Sequence, residues 1–553
     1  MTDQIDRDPE SADRALGDAV APGANDPAKA ELEEATVAPV GVAAVDVVAI
    51  PPNEGRKTDS ADGVALPGRW VLTDAEIRPI IYGVSLAMFI AALNQTIIAT
   101  ALPTIGRDFR DFDNLPWLIT AYLVTSTVAA PLCGKLSDIY GRRLVMMSAL
   151  GLFMLGSIAC ALAPNMLALI IFRGLQGFGG GGLVPLVQAT MADAVAPRER
   201  GRYQAYIGTV WVIAGVLGPV IGGYIADHLH WSVAFWINVP LGLAAAYMIN
   251  SRLKLLPQNH RKHKLDLFGA TLMMSSTIAL LLALSWGGVR YPWFSTAILA
   301  LVGFSIALTL AFSYRLRHEP EPFLPLSVLA NPVMRYGTAA ASFAVAVSIA
   351  LTVFMPLYYE NVHHLTAGQS GLALIPIAVM TTPGSVMSGR IMMRFDSYKW
   401  FGMSGLVCAT LAIASLAVWP RAPLWAVIIA LCVFGMGIGT VFSMSTVSVQ
   451  NAVSRFEVGT ATGTMNFFRS LVSALVVAIM GAIILAGIGG EQGRAAEILA
   501  HISAHKGGAP VDLSEVFRWV FAASVVFLLM SIAALIMMEE RPLRGRSEAG
   551  PKG

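Results

Sequence analysis

The sequence predicts an all-α membrane protein of fourteen transmembrane helices, and three observations carry that prediction. Of 553 residues, 55% are hydrophobic and 13% charged, with a mean hydropathy of +0.63; a soluble globular chain carries roughly 25% charged residues. From Pro79 onward the apolar residues gather into runs, each near the roughly 20 residues that a helix needs to cross a bilayer. Lys and Arg concentrate in alternate loops, as expected when every second loop lies on the cytoplasmic side.

Residues 1–70 hold 14 acidic and 6 basic residues and few aromatics. That composition offers too little apolar surface to offset the entropy of ordering, so a disordered acidic cytoplasmic tail is expected. Val37 to Ile50 is apolar, but Pro39, Gly41 and Asp46 interrupt it and it is too short to span. The opening Met1-Thr2-Asp3-Gln4-Ile5-Asp6 lacks the positive start and adjacent apolar core of a secretory signal.

A first six-helix bundle is expected within 71–257, with spans near 79–102, 115–136, 144–163, 166–191, 203–226 and 233–250. Two additional helices follow within 258–320, near 267–286 and 294–314. The second bundle, 321–540, has spans near 338–359, 369–393, 401–419, 422–446, 461–487 and 517–538. Its outer loop 488–516 has helical spacing of apolar residues from Glu491 to Ala504, and 541–553 forms a short cytoplasmic tail. With the amino terminus inside, the inner loops hold 18 Lys/Arg and the outer loops 7. That puts both termini in the cytoplasm; the plasma (inner) membrane is the expected location.

The loop between the second and third spans reads Gly134-Lys135-Leu136-Ser137-Asp138-Ile139-Tyr140-Gly141-Arg142-Arg143. This spacing of Gly, Asp and paired Arg resembles the signature loop of the major facilitator superfamily. Gly389-Arg390-Ile391-Met392-Met393-Arg394 is a degraded echo at the equivalent place in the second half, with Met393 where the first copy has Asp138. Repeated halves are a common transporter design, with the substrate site at their interface near the midplane.

Further motifs resemble the 14-span drug/proton antiporter branch. In the first span, Asn94 and Thr96 lie in Ala92-Leu93-Asn94-Gln95-Thr96-Ile97, where that branch normally has Asp in place of Asn94. An amide cannot carry a proton, so these two residues either bond between helices or contact substrate in an altered coupling role. In the fourth span, Arg173 and Gln176 begin a glycine-rich run similar to the superfamily's fourth-helix motif. A guanidinium at that depth must face a polar cavity or a partner. Gly215, Gly218, Pro219, Gly222 and Gly223 resemble the antiporter signature of the fifth span. Pro219 removes a backbone donor, while the glycines allow close helix packing.

Trp231 and Trp236, at the entry to the sixth span, are expected to be interface anchors. In the second half, Glu360 ends the ninth span, as an interfacial charge or a replacement proton site, and Arg469 is a candidate cavity charge in the thirteenth. Tyr122, Trp211, Tyr358, Phe442 and Phe467 are candidate cavity aromatics or packing residues.

The resemblance implies alternating access: two bundles rock about a central cavity, a small molecule leaves, and protons moving inward supply free energy. It further implies a latch at Gly134, Asp138, Gly141, Arg142 and Arg143, with the two glycines permitting close approach. Export of drugs or other amphipathic compounds is the first reading, and export of an endogenous metabolite or lipid-like compound the second. A transporter-like receptor would add a folded signalling domain, and an enzyme would need a nucleophile and base or a metal cluster at mid-depth. The pairs His228/His230, His363/His364 and His501/His505 lack a third convergent ligand, and the four cysteines lack metal spacing. Neither cofactor nor nucleic acid is expected; a small-molecule substrate, protons and the lipid bilayer are the expected partners, and a monomer should suffice.

Overall fold

The computed structural model describes residues 74–111, 114–255, 265–288, 290–395, 397–454, 456–487 and 513–543. The expected acidic tail, nearly all of the outer loop and most of 541–553 lie outside the described residues. Among the described residues, fourteen helical segments are long and apolar enough to cross a membrane.

The first bundle comprises α1 (Asp74–Phe109), α2 (Leu115–Tyr140), α3 (Arg142–Ala161), α4 (Met166–Ala194), α5 (Pro197–His228), α6 (Val233–Trp236) and α7 (Asn238–Arg252). The α2–α3 break falls at Gly141, whose φ of +87° suits a residue without Cβ. Pro240 would oppose the Trp236 carbonyl four residues back, and the expected sixth span is interrupted there into α6 and α7. A separate pair follows, α8 (Leu267–Trp286) and α9 (Thr296–His318). Asp266 caps α8 through the Gly269 N–H at 2.9 Å and pairs with Arg315 of α9 at 2.8 Å. Buried Ser276 and Ser305 bond across the two helices, and Ser276 also bonds Thr309.

The second bundle comprises α10 (Leu326–Ala330), α11 (Pro332–Val362), α12 (Ala367–Arg394), α13 (Lys399–Val418), α14 (Leu424–Ala452), α15 (Val458–Gly487) and α16 (Leu513–Met537). The short α10, between Pro325 and Pro332, has no counterpart in the sequence reading, and α16 begins four residues earlier than expected.

Packing repeats between the halves. In the first, α2 packs on α4, α3 on α4, and α1 on α5 and α7; in the second, α12 packs on α14, α13 on α14, and α11 on α15 and α16. Across the halves α2 meets α15 and α5 meets α12. The second helix of each half therefore meets the fifth of the other, as a two-fold axis requires. Pair α8/α9 sits against α2 and α15 through α8. Leu299, Phe304, Ile306 and Leu310 of α9 are exposed, an arrangement suited to lipid because the helix satisfies its own backbone.

Candidate functional site

Asp138 lies at the end of α2 and faces the start of α15. Its carboxylate accepts hydrogen bonds from Gly459 N at 2.9 Å, Thr460 N at 2.6 Å and Thr460 Oγ1 at 2.6 Å. The two N–H groups are orphan donors of a helix amino terminus, where a negative charge is favoured by capping and by the helix dipole. Arg142 holds the same carboxylate at 2.7 Å, Asp193 of α4 at 2.7 Å, and Ser137 Oγ. One guanidinium thus ties α2, α3 and α4 to a carboxylate that caps a helix of the other half. Arg143 bonds only within its own half, to Asn250 at 3.1 Å.

The approach is close enough to exclude side chains. A Cβ on Gly134 would strike the Gly459 carbonyl, and one on Gly459 would lie 2.6 Å from Asp138 Oδ1. Gly141, in contrast, has nothing within 4 Å of its would-be Cβ; it supplies the turn and not the close approach expected of it. The second junction, α5 with α12, rests on Gly201 against Gly389, where a Cβ on either would meet the other's backbone. Sequence reasoning noticed Gly389 only as part of the echo and missed Gly201.

Elsewhere in the first half, Asn94 Oδ1 accepts from Gln176 Nε2 and Asn238 Nδ2, both at 3.2 Å. Ser157 Oγ accepts from the same two amides, and Gln176 Oε1 accepts from Arg173 Nη1 at 2.6 Å. Arg173 also donates to the Leu118 carbonyl and lies 4.5 Å over the Tyr122 ring. All are buried, and none of Asn94, Arg173, Gln176 or Asn238 lines the central cavity. Five helices of the first half, α1, α2, α3, α4 and α7, are joined through this polar knot. Asn238 and Ser157 were not singled out from sequence; their polarity within apolar runs was the available signal.

Thr96 donates to the Ala214 carbonyl of α5 at 3.0 Å. Gly218 and Gly222 are packed so closely that their would-be Cβ atoms meet Thr96 and Thr100. Gly215 and Gly223 have open space, and Pro219 is exposed. The antiporter-like motif therefore divides into a contact face, Ala214, Gly218 and Gly222, and a free face.

Between the halves lies a cavity of about 860 Å³. It runs from mid-depth toward the end opposite the Asp138 junction, where Gly287, Gly288 and Trp293 of the α8–α9 connection reach its wall. Tyr122, Trp211 and Phe442 are among its aromatics. Tyr358, buried and bonded to the Pro420 carbonyl at 2.8 Å, and Phe467, packed near α8, are not. Gln188 and Asn466 bond across the halves at 2.8 Å on its wall.

Arg469 also lines the cavity while remaining 5% exposed. Its Nη2 donates to Thr446 Oγ1 at 2.8 Å, its guanidinium lies 4.4 Å from the Phe442 ring, and its buried Nε has no partner. No Asp, Glu, Lys or His is among the described lining residues.

Glu360 sits two residues before the end of α11, half-buried and away from the cavity. Nearby His363 has a buried Nε2 without a partner; burial, and His364 beside it, hold its pKa below the ordinary histidine value. Among the described residues no cluster of three metal-ligating side chains occurs. Trp231 is not the expected interface anchor: it is buried and donates to Asp108 at 2.6 Å, whereas Trp236 is exposed.

The family model of the Major Facilitator Superfamily matches residues 84–269 and 254–477. The chain belongs to that superfamily. Among curated relatives, the multidrug transporter protein MdtP of Bacillus subtilis (strain 168) is 32% identical over 412 residues, covering 74% of this chain and 76% of the relative. Multidrug resistance protein 3 of the same organism is 30% identical, covering 74% and 80%. Efflux pump FUS6 of Gibberella fujikuroi is 33% identical, covering 73% and 74%. Solved superfamily structures share the fold at low identity. The proton:xylose symporter XylE aligns with a TM-score of 0.55 at 14% identity, covering 84% of this chain and 96% of that one. A bacterial homologue of the iron transporter ferroportin aligns at 0.58 and 11%, covering 84% and 100%. The protein is a multi-pass membrane transporter of this superfamily.

Proposed function

We propose that this superfamily member exports amphipathic small molecules across the plasma (inner) membrane by alternating access, with proton antiport as the energy source. The observation that carries the reading is the pairing of a large, mostly apolar cavity between the halves with a gate that, among the described residues, closes one end. The distribution of Lys and Arg assigns the gate end to the cytoplasm, and both termini with it. On that assignment the conformation described is closed inward and extends its cavity outward. The relatives named as multidrug transporters and efflux pumps support export over uptake.

Closing the gate supplies Asp138 as a cap for α15; opening it exposes Asp138 and the α15 amino terminus to water. Both sets of groups can be rehydrated, so the junction can part at modest cost. Proton coupling requires a carboxylate that titrates during the cycle, and the described cavity wall offers none. Glu360 at the outer end, or Asp138 and Asp193 in the gate, are the groups we assign to it. Asn94 contributes to the polar knot and cannot exchange a proton.

The test is transport in proteoliposomes under an imposed pH gradient, using two fluorescent probes of opposite permanent charge, pyrene-1-sulfonate and pyrenyl-trimethylammonium. Native protein should move at least one probe faster than protein-free vesicles, and Glu360→Gln should blunt the response to the gradient. Transport of neither probe overturns export of amphipaths. Transport indifferent to the gradient overturns antiport alone.

A further inference from the structure

Of the arginines buried within the described spans, Arg469 alone lines the cavity. Arg142 has two carboxylates, Asp138 and Asp193, each at 2.7 Å. Arg173 is enclosed by the Leu118 carbonyl, Gln176 Oε1 and the Tyr122 and Phe235 rings, away from the cavity. Arg469 has one oxygen acceptor, Thr446 Oγ1, bonded to Nη2, and its Nε has none. A guanidinium carries five donors and stays protonated under all ordinary conditions. In a low-dielectric site that charge needs a counter-ion, and no carboxylate among the described lining residues supplies one.

We propose that the substrate itself supplies the counter-charge: the cavity takes amphipathic organic anions, with a carboxylate, sulfonate or phosphate on Arg469 and an aromatic or aliphatic body against the apolar wall. This rests on the export reading above and names its substrate class. Geometry favours such a ligand in three ways. Asn466, one turn before Arg469 on α15, and Gln188 place amides beside the guanidinium's helix on the same wall. The ring of exposed Trp211 offers a face for a flat body. Phe442 covers one face of the guanidinium, which leaves its edge, where the N–H groups point, for an oxyanion. A cationic amphipath would meet the same guanidinium with no acid to offset the repulsion. At about 860 Å³ the cavity lies within the roughly 300–1,000 Å³ typical of sites for drug-sized ligands.

The two pyrene probes share one apolar body and differ in the sign of a charge that pH does not alter. Binding to purified protein in nanodiscs is read by fluorescence polarisation, with empty nanodiscs as background. The native protein should bind the sulfonate at least tenfold more tightly than the ammonium. Arg469→Gln should abolish that preference, and Arg469→Lys, which keeps the charge but not the fork of donors, should retain most of it. Equal binding of both probes, tighter binding of the ammonium, or an anion preference that survives in Arg469→Gln overturns the proposal. If the ammonium alone is bound and transported, the export reading stands and the anion inference falls. If neither probe is bound or moved, both fall.

Discussion

Asp138→Asn perturbs the gate with little change in shape. In the closed junction the carboxylate accepts three hydrogen bonds from the start of α15 and one ion pair from Arg142. Hydrogen bonds to a charged partner contribute about 1.5–3 kcal/mol each, against about 0.5–1.5 for neutral pairs. Losing roughly 1 kcal/mol on each of three bonds gives about 3 kcal/mol in favour of the open gate, or a population shift of about 100-fold. Arg142 keeps Asp193, so the first bundle should remain folded. Spin labels at exposed Tyr140 and Arg394, one in each half, report the gate width by pulsed electron resonance. The variant should show a long-distance population where the native protein shows a short one, and its transport should fall at least tenfold. A short, single distance with normal transport would refute the latch.

Gly134→Ala should open the same junction by steric means, since its Cβ meets the backbone carbonyl of Gly459, and the same labels should report it. Gly201→Ala should separate α5 from α12 and lower transport several-fold in the vesicle assay, because its new atom meets Gly389 backbone. Asn94→Leu removes an acceptor shared by Gln176 and Asn238, though both retain Ser157; the expected loss is about 1–3 kcal/mol, seen as a lower melting temperature in detergent. His363 has a depressed pKa in the folded state, so the unfolded chain binds more protons and stability falls as pH drops through the ordinary histidine value near 6.5. His363→Gln should flatten that part of a melting-temperature profile taken from pH 8 to pH 5.

The spans were legible because each is a long apolar run bounded by charge or proline, and the bilayer permits few alternatives to a helix. One side of the proposed gate was legible for a different reason: its charges and glycines are packed into ten consecutive residues, whereas their partners Asp193, Gly459 and Thr460 lie outside them. Groups assembled from distant segments were not. Gly201 meets Gly389 across the halves, and Ser157 and Asn238 complete a knot that sequence inspection approached only through Asn94, Arg173 and Gln176. No local spacing marks such partners, since their proximity is made by the two-fold arrangement of helices. Depth along a helix was readable for Arg173, but azimuth was not. It points into its own bundle, while Arg469, at a comparable remove from a helix end, reaches the cavity.

The two junctions that the pseudo-symmetry relates are chemically unlike, and that difference bears on how the halves move. At α2–α15 the contact is held by a carboxylate, a guanidinium and a helix amino terminus. At α5–α12 two glycine backbones touch, and the echo motif has Met393 where the first copy has Asp138. Charged and amide groups regain hydrogen bonds from water when they separate, so breaking the first junction exchanges one set of partners for another. The glycine contact has no such exchange; its contribution comes from close dispersion contact, which is lost outright as a gap opens. A motion that opens the gate at α2–α15 while keeping Gly201 near Gly389 costs less than one that parts both junctions equally. A crosslink placed beside Gly201 and Gly389, leaving the glycines themselves intact, should therefore slow transport less than one placed beside Gly134 and Gly459, and the reverse order would count against this asymmetry.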